Sequence, residues 1–178
     1  MTERKSLVVG LTGQTGAGKT TVSEAFEKHG YAVINADQLA RTVTSEPEVL
    51  LRLSELFGEE ILLPDGSLDR KALGARVFSD PAELQKLDGA LYPIIVSRIE
   101  GEIQKLTESG RRYILLDAPT LFESGADKLC DKTVAVLAEE DLRRERIIKR
   151  DKLTKEAASA RISAQHPDGY YRKRCDYI

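Results

Sequence analysis

Glycine, lysine and threonine residues near the start of the chain have the spacing of a phosphate-binding loop. The segment Gly13-Gln14-Thr15-Gly16-Ala17-Gly18-Lys19-Thr20 fits the pattern Gly-x4-Gly-Lys-Ser/Thr, the P-loop. An apolar run typical of a buried strand precedes it at residues 7–12, and a helical pattern follows at 19–28. A strand before and a helix after are the context that this motif requires. We therefore predict a nucleotide phosphate site here.

The residue types in this loop suit the chemistry of phosphate binding. Glycines let the backbone approach phosphate oxygens closely, and the N-terminus of the following helix adds partial positive charge. Lys19 is expected to contact the β- and γ-phosphates, and the Thr20 hydroxyl is expected to bind Mg²⁺. The alternative is a glycine-rich turn that matches by chance. The residues predicted to bind the nucleotide in this loop are Gly13, Thr15, Gly16, Ala17, Gly18, Lys19 and Thr20.

Two aspartates lie at or just beyond the ends of predicted strands. Asp37 follows the strand predicted at residues 31–34, and Asp117 ends the apolar strand predicted at 112–117. Ligands gather at the carboxyl edge of open parallel sheets. Asp37 is therefore either a carboxylate that orients an acceptor hydroxyl or the N-cap of a helix beginning at Gln38. Asp117 either holds a Mg²⁺-bound water, as a Walker B acid does, or is a solvated acid at the sheet edge.

The order of the predicted elements indicates an α/β fold. The first strand, helix and second strand form a βαβ unit, which implies a parallel sheet and a right-handed crossover. Helical patterns without an intervening strand then indicate a helical insertion, with segments at residues 48–57, 70–78, from Pro81 onwards and 93–107. Strands return at 112–117 and 133–138, followed by helices from residue 139 and over 155–164.

Composition narrows the class of protein. The chain has 178 residues, 41% hydrophobic and 31% charged, with a net charge of −2. This balance gives no reason to expect general affinity for nucleic acid or an anionic membrane. The first apolar run is too short for a signal segment or a membrane span, so we expect a cytoplasmic protein. The sequence contains no guanine-reading Asn-Lys-x-Asp segment, which makes ATP the expected nucleotide.

Beyond the P-loop, a series of short segments with distinctive residues runs along the rest of the chain. In order they are Asn35-Ala36-Asp37 with Leu39-Ala40-Arg41, Leu68-Asp69-Arg70, Val77-Phe78-Ser79-Asp80, Leu91-Tyr92-Pro93-Ile94-Ile95, Asp117-Ala118-Pro119-Thr120-Leu121-Phe122-Glu123, Arg150-Asp151-Lys152-Leu153-Thr154 and Ala160-Arg161-Ile162-Ser163-Ala164-Gln165. In their order and spacing, together with the P-loop, they resemble the dephospho-coenzyme A kinase family nearly from end to end. Three departures from the family pattern are Asn35 for a usual Asp, Tyr92 for a usual His, and Thr120 in a Pro-Leu-Leu stretch.

The resemblance implies a P-loop NTPase three-layer fold, with a central parallel sheet, a helical substrate-binding insertion and a helical lid. The reaction it implies is transfer of the ATP γ-phosphoryl group to the ribose 3′-hydroxyl of dephospho-CoA, with Mg²⁺. Residues 1–178 would form one kinase domain, with a nucleotide-binding core at 1–41 and 108–138, an acceptor-binding insertion at 42–107, a lid at 139–166 and a C-terminal segment at 167–178. We expect that last segment to be truncated, with Cys175-Asp176-Tyr177-Ile178 as the start of the family's final strand.

The resemblance also implies roles for particular side chains. Catalysis would involve Lys19, Asp37 as the carboxylate at the acceptor hydroxyl, and Arg150 as the first lid arginine. Arg146 would be the second lid arginine, although a basic run such as Arg143–Arg150 usually means a solvated face. The expected acceptor contacts are Asp37, Arg41, Arg70, Arg76 and Asp117, and the expected metal contacts are Thr20 and Asp117.

Several alternatives remain open at this point. The acceptor could be a nucleoside or another small molecule, and the chain could be a non-catalytic ATP-dependent switch. The expected partner is the small-molecule substrate, without nucleic acid or membrane. We expect a monomer or a small homo-oligomer.

Overall fold

The computed structural model describes residues 6–178 and divides the chain into two compact units. Among the described residues, the first unit combines residues 6–35 with residues 102–178, and the second unit is formed by residues 36–101. The first contains the sheet and the P-loop. The second is helical.

The first unit is built on a parallel sheet of four strands in the order β2-β3-β1-β4. Val8 and Leu11 belong to opposite faces of β1 and are both buried, and Ile114 and Leu115 are likewise buried on β3, so both faces of the sheet are covered. This arrangement confirms the predicted α/β class with a central parallel sheet. The strands are β1 Leu7–Gly13, β2 Ala32–Asn35, β3 Tyr113–Asp117 and β4 Lys132–Val136.

Eight α-helices occur within the described residues, and the predicted bounds of the first are confirmed. A helix over residues 168–174, next to the end of the chain, is missing from the sequence prediction. Its short polar segment carries little helical periodicity, and only Tyr171 is buried. The helices are α1 Lys19–Lys28, α2 Ala36–Val43, α3 Pro47–Phe57, α4 Arg70–Val77, α5 Pro81–Glu108, α6 Glu140–Asp151, α7 Lys155–Ser163 and α8 Asp168–Arg174.

The prediction of a separate helix over residues 93–107 is wrong, because α5 runs without a break through Pro93. A proline inside a helix removes one hydrogen bond and costs about 3 kcal/mol. Buried aliphatic side chains lie on both sides of it, at Ile95, Ile99 and Ile103 and also at Ala90. Burial contributes roughly 1.5–3 kcal/mol for each large aliphatic side chain, so the apolar stripe outweighs the proline.

The last described residues lie beside β4 and extend the sheet. The amide of Tyr177 donates to the Thr133 carbonyl at 3.1 Å, and the amide of Ala135 donates to the Tyr177 carbonyl at 3.0 Å. The Asp176 carboxylate accepts hydrogen bonds from the amide and the hydroxyl of Thr133, at 2.8 and 2.9 Å. Residues 175–178 therefore occupy the position next to β4, with a parallel bridge between Val134 and Tyr177.

Candidate active site

The P-loop connects β1 to α1, and its glycines occupy positions that other residues tolerate poorly. Gly13, Gly16 and Gly18 have φ values of 139°, 77° and 107°. A side chain at Gly13 would overlap the Val136 backbone, and one at Gly16 would lie 2.8 Å from the Arg143 carbonyl oxygen. The glycines of the motif are therefore required by the path of the chain as well as by any phosphate.

The N-terminus of α1 is arranged to attract an anion. Its N-cap is Gly18, which has no side chain to satisfy the first amides of the helix. The first turn begins with Lys19 and Thr20 and contains no acidic residue. Unsatisfied N–H groups, the helix dipole and a lysine ammonium thus occur together, as phosphate binding requires.

Lys19 and Asp117 meet in the structure although 98 residues separate them. The Lys19 ammonium donates to Oδ1 of Asp117, a residue that is only 5% exposed. The register between β1 and β3 sets Asp117 beside Leu11, and the amide of Ala118 donates to the Leu11 carbonyl at 2.9 Å. The sheet therefore brings the predicted Walker B acid to the P-loop lysine.

The residues present fit a magnesium ion held mainly by non-protein ligands. The Thr20 hydroxyl and the Asp117 carboxylate supply hard oxygen donors, which Mg²⁺ prefers. Within residues 6–178 no group of three or more His, Cys, Asp or Glu side chains could hold a metal alone. Mg²⁺ usually keeps several waters and binds substrate phosphates, so a site for it needs only one or two protein oxygens.

The two predicted lid arginines have different partners. Nη1 of Arg146 donates to the carbonyl oxygens of Gly16 and Ala17, both at 3.1 Å. Arg150 instead pairs with Asp151 through two hydrogen bonds of 2.7 and 2.9 Å. That pair raises the pKa of Arg150 and lowers the pKa of Asp151, to which Arg161 also donates. The structure thus brings Arg146, but not Arg150, into contact with the P-loop.

Arg143 and Gln165 contact the P-loop, and neither is among the predicted site residues. Arg143 is 4% exposed, and its Nε donates to the Thr15 carbonyl at 3.0 Å. The Gln165 side-chain oxygen accepts from the amide of Thr15 at 2.9 Å. Helical spacing could have identified Arg143 in the sequence, because it precedes the buried Ile147 by one helical turn and so lies on the apolar face of α6.

Asp37 lies in the first turn of α2, which begins directly after β2 ends at Asn35. The alternative of an N-cap for a helix starting at Gln38 is wrong, because the helix already includes Ala36. A carboxylate in a first turn interacts favourably with the helix dipole. The Asp37 side chain is exposed and open to a ligand from solvent.

The three arginines predicted to contact the acceptor belong to the helical unit. Arg41 is exposed in the last turn of α2. Nη2 of Arg70 donates to the Thr44 hydroxyl at 2.8 Å and to the Arg41 carbonyl at 3.2 Å. Arg76 links three segments of the unit by binding the Phe57 carbonyl, Glu83 at 2.7 Å and Glu60 at 3.1 Å.

Comparison with known proteins now decides the family. A family model described as Dephospho-CoA kinase matches residues 7–178. The chain belongs to the dephospho-CoA kinase family. The resemblance drawn from the sequence motifs is thereby confirmed, and with it the assignment to the kinases.

Relatives in this family match almost the whole chain. The dephospho-CoA kinase of Anaeromyxobacter dehalogenans is 39% identical over 173 residues, covering 96% of this chain and 82% of the relative. That of Geobacillus kaustophilus is 38% identical over 174 residues, covering 97% and 87%.

Solved structures agree with the sequence relatives. The crystal structure of TT1252 from Thermus thermophilus has a TM-score of 0.84 at 33% identity, covering 97% of this chain and 87% of that one. The dephospho-CoA kinase from Campylobacter jejuni has a TM-score of 0.70 at 29% identity, covering 96% and 86%. Shikimate kinase from Acinetobacter baumannii, at 17% identity and a TM-score of 0.53, shares the fold.

Among the described residues, no helix combines the length and the apolar character needed to cross a membrane.

Proposed function

We propose that this member of the dephospho-CoA kinase family transfers the γ-phosphoryl group of ATP to the ribose 3′-hydroxyl of dephospho-CoA. The match of the family model over residues 7–178 carries this proposal. In the reaction, the 3′-oxygen forms a bond to the γ-phosphorus, and the bond from that phosphorus to the β–γ bridging oxygen breaks. The products are CoA and ADP.

The P-loop would hold the triphosphate for this transfer. The first amides of α1 and the Lys19 ammonium provide donors where phosphate charge is greatest. The ammonium has three N–H donors and uses one on Asp117, so Asp117 orients the group and leaves two donors for phosphate oxygens. Phosphoryl transfer depends mainly on positioning and charge stabilisation, so a lysine held in place by a buried acid suits the task.

Mg²⁺ would be held by the Thr20 hydroxyl and, through water, by Asp117. When bound, the ion neutralises negative charge on the phosphates during transfer. Asp117 would thus have two roles, because the carboxylate that orients Lys19 also offers an oxygen to the metal shell. A contact with the acceptor is a third role proposed for Asp117.

Asp37 would orient the acceptor hydroxyl and take its proton. Its position in the first turn after β2 supports this role, since ligands collect beyond the carboxyl ends of parallel strands. Arg41 and Arg70 would contact phosphates of the acceptor. Arg76 has less support than these two, because its guanidinium already binds a carbonyl and two carboxylates.

Arg150 and Arg146 would balance negative charge as the lid closes on ATP. For Arg150 this requires exchange of Asp151 for a phosphate, which like a carboxylate can accept two parallel hydrogen bonds from a guanidinium. Arg146 already lies against the P-loop carbonyls and needs a smaller change. A closed lid also excludes water and so limits hydrolysis of ATP without an acceptor.

A coupled ADP-release assay with and without dephospho-CoA tests the proposal. We expect ADP release in the presence of both Mg²⁺ and dephospho-CoA, with CoA as the second product. Activity on a nucleoside but not on dephospho-CoA would replace the proposed acceptor. ATP binding without any transfer in a single turnover would favour the non-catalytic switch.

Cellular location and oligomeric state remain predictions from the sequence. We propose a cytoplasmic enzyme that acts as a monomer or a small homo-oligomer, consistent with the net charge of −2 and the small size of the chain.

A further inference from the structure

Four consecutive P-loop residues are contacted from α6, from the segment between α7 and α8, and from the first residue of α8. The Gln14 side chain donates to the His166 carbonyl and to Asp168, at 3.3 and 3.0 Å. Thr15 binds Gln165 and Arg143, and the carbonyls of Gly16 and Ala17 bind Arg146. The outer side of the loop is thus secured by groups more than 120 residues away in sequence.

Gln165 is the centre of this network. Its Oε1 accepts two hydrogen bonds, from the amide of Thr15 and from Nη2 of Arg143, each at 2.9 Å. Arg143 in turn donates through Nε to the carbonyl of Thr15. The peptide groups on both sides of the Thr15 α-carbon are therefore bound, and a rotation of this residue would break two hydrogen bonds.

Burial of Arg143 raises the free-energy cost of losing a hydrogen bond in this network. Arg143 is 4% exposed, and both acceptors named here are neutral oxygens. Its desolvation lowers the pKa of the guanidinium. Losing one acceptor would leave a buried donor unsatisfied, at a cost of about 1–3 kcal/mol. The side chain therefore favours the single arrangement in which both oxygens are in place.

We propose that Gln165, together with Arg143, is a positioning residue that holds the P-loop in its ATP-binding conformation and couples it to the α6–α7 hairpin. Ile147, Ala158 and Ile162 pack these two helices together, so a movement of the hairpin is transmitted to Thr15. The ligand affected is ATP, an inference that rests on the proposed function of the loop. Neither side chain is assigned a contact with the reacting atoms.

The decisive measurement is the Kd for Mg-ATP by titration calorimetry on the full chain, for wild type, Gln165→Ala, Gln165→Glu and Gln104→Ala. We expect the alanine variant at position 165 to bind ATP about tenfold more weakly, the size expected for one lost hydrogen bond to a charged partner. The glutamate variant keeps an acceptor oxygen at the same position and gains charge attraction to Arg143. It should stay within about threefold of wild type.

Gln104 is the matched control, because it lies on exposed α5 surface and binds only Glu108 among its described partners. Gln104→Ala should leave the Kd unchanged. The KM for dephospho-CoA should change less than about twofold in all variants, since the network touches only the loop. Wild-type affinity of Gln165→Ala, or equal weakening by Gln165→Glu, would overturn the proposal.

A folding defect can be separated from a positioning defect. If Gln165→Ala does not fold, Gln165→Asn replaces it, because its oxygen is one methylene too short to serve both donors. That variant must show the same roughly tenfold loss in ATP affinity, and wild-type affinity would refute the role. Because binding is measured without turnover, an enzyme inactive on dephospho-CoA would contradict the proposed function and leave this test intact.

Discussion

At the residue scale, the Lys19–Asp117 pair is the centre of the nucleotide site. Asp117 is almost fully buried, and Lys19 is partly exposed at the start of α1. A buried carboxylate requires a partner, and here the partner is the group expected to bind phosphate. The acid therefore does more than lie at the sheet edge, because it orients the lysine.

Asp117→Asn tests the metal role of this acid. The amide keeps the size of the side chain but removes its charge, so we expect the Mg²⁺ concentration for half-maximal activity to rise about 10–100-fold. A magnesium titration of turnover at saturating ATP measures this. Asp127→Asn is the control, because Asp127 is an acid in the short 3-10 helix after β3. An unchanged magnesium requirement would remove Asp117 from the metal shell.

Asp37→Asn tests the carboxylate at the acceptor. Loss of a group that orients the hydroxyl and accepts its proton should lower kcat roughly 10²–10⁴-fold while ATP affinity persists. Steady-state kinetics and a separate ATP titration distinguish the two effects. Glu48→Gln is the control, since Glu48, like Asp37, is an exposed acid in the first turn of a helix in the second unit. Normal turnover in Asp37→Asn would exclude the residue from the chemistry.

At the element scale, α6 and α7 form a hairpin whose position depends on a few local signals. Lys152 follows α6 with a φ of 53°, the left-handed conformation common just after a helix end. Thr154 then caps the N-terminus of α7, where its side-chain oxygen accepts from the amide of Ala157 at 3.2 Å. These signals set the turn between two helices whose faces pack at Ile147, Ala158 and Ile162.

Thr154→Ala tests the cap of α7. Loss of a capping hydrogen bond typically costs about 1 kcal/mol, and we expect the free energy of unfolding to fall by that amount. Urea denaturation followed by circular dichroism measures it. Thr154→Ser keeps the oxygen and should remain close to wild type. Equal stability of the alanine and wild-type proteins would mean that the cap contributes nothing.

The segment beside β4 should respond to pH through Asp176. Hydrogen bonds from the Thr133 amide and hydroxyl, and the charge of Lys132, lower the pKa of this carboxyl. A group with a lowered pKa contributes its stabilisation above its unfolded pKa, about 3.9, and loses it as pH falls through the lower folded value. Hydrogen-exchange protection of the Tyr177 amide should therefore decrease below about pH 4. Asp176→Asn should show low protection of the Tyr177 amide at every pH, without this step. A step that persists in the variant would exclude Asp176 as the group that titrates.

At the scale of the whole molecule, the residues with predicted roles are divided between the two compact units. The P-loop, Asp117 and the α6–α7 hairpin belong to the first unit, whereas Asp37 and the three acceptor arginines belong to the second. Donor and acceptor functions are thus assigned to different parts of the chain. Each part has its own buried residues, such as Leu11 and Leu115 in the first and Leu53 and Phe57 in the second.

This division predicts unequal protection by Mg-ATP. A bound ligand raises the folding equilibrium constant of the unit that it binds by a factor of 1 + [L]/Kd. At 100 times its Kd, ATP should therefore slow by about 100-fold the exchange of those amides in the first unit that exchange only when the unit unfolds. Hydrogen exchange with mass spectrometry locates the effect. Peptides from residues 36–101 should change less, and dephospho-CoA should protect them instead. Equal protection of both units by ATP alone would contradict the division.

Local sequence signals determined the fold class and the phosphate loop. The motif, the apolar strand before it and the helical pattern after it lie within 22 residues, and each reflects short-range physics of backbone conformation and burial period. The order of strands and helices likewise implied a parallel sheet, because crossover connections leave few other topologies.

Only the tertiary structure decided which distant groups meet. Sequence alone could not tell that Arg146 rather than Arg150 lies on the loop, since both belong to one basic run and their partners lie elsewhere. It could not show that Gln165 and Arg143 bind Thr15, because these contacts span 150 and 128 residues and depend on how α6 and α7 pack. Side-chain pairing of this kind follows from the whole set of packed elements, which no local pattern contains.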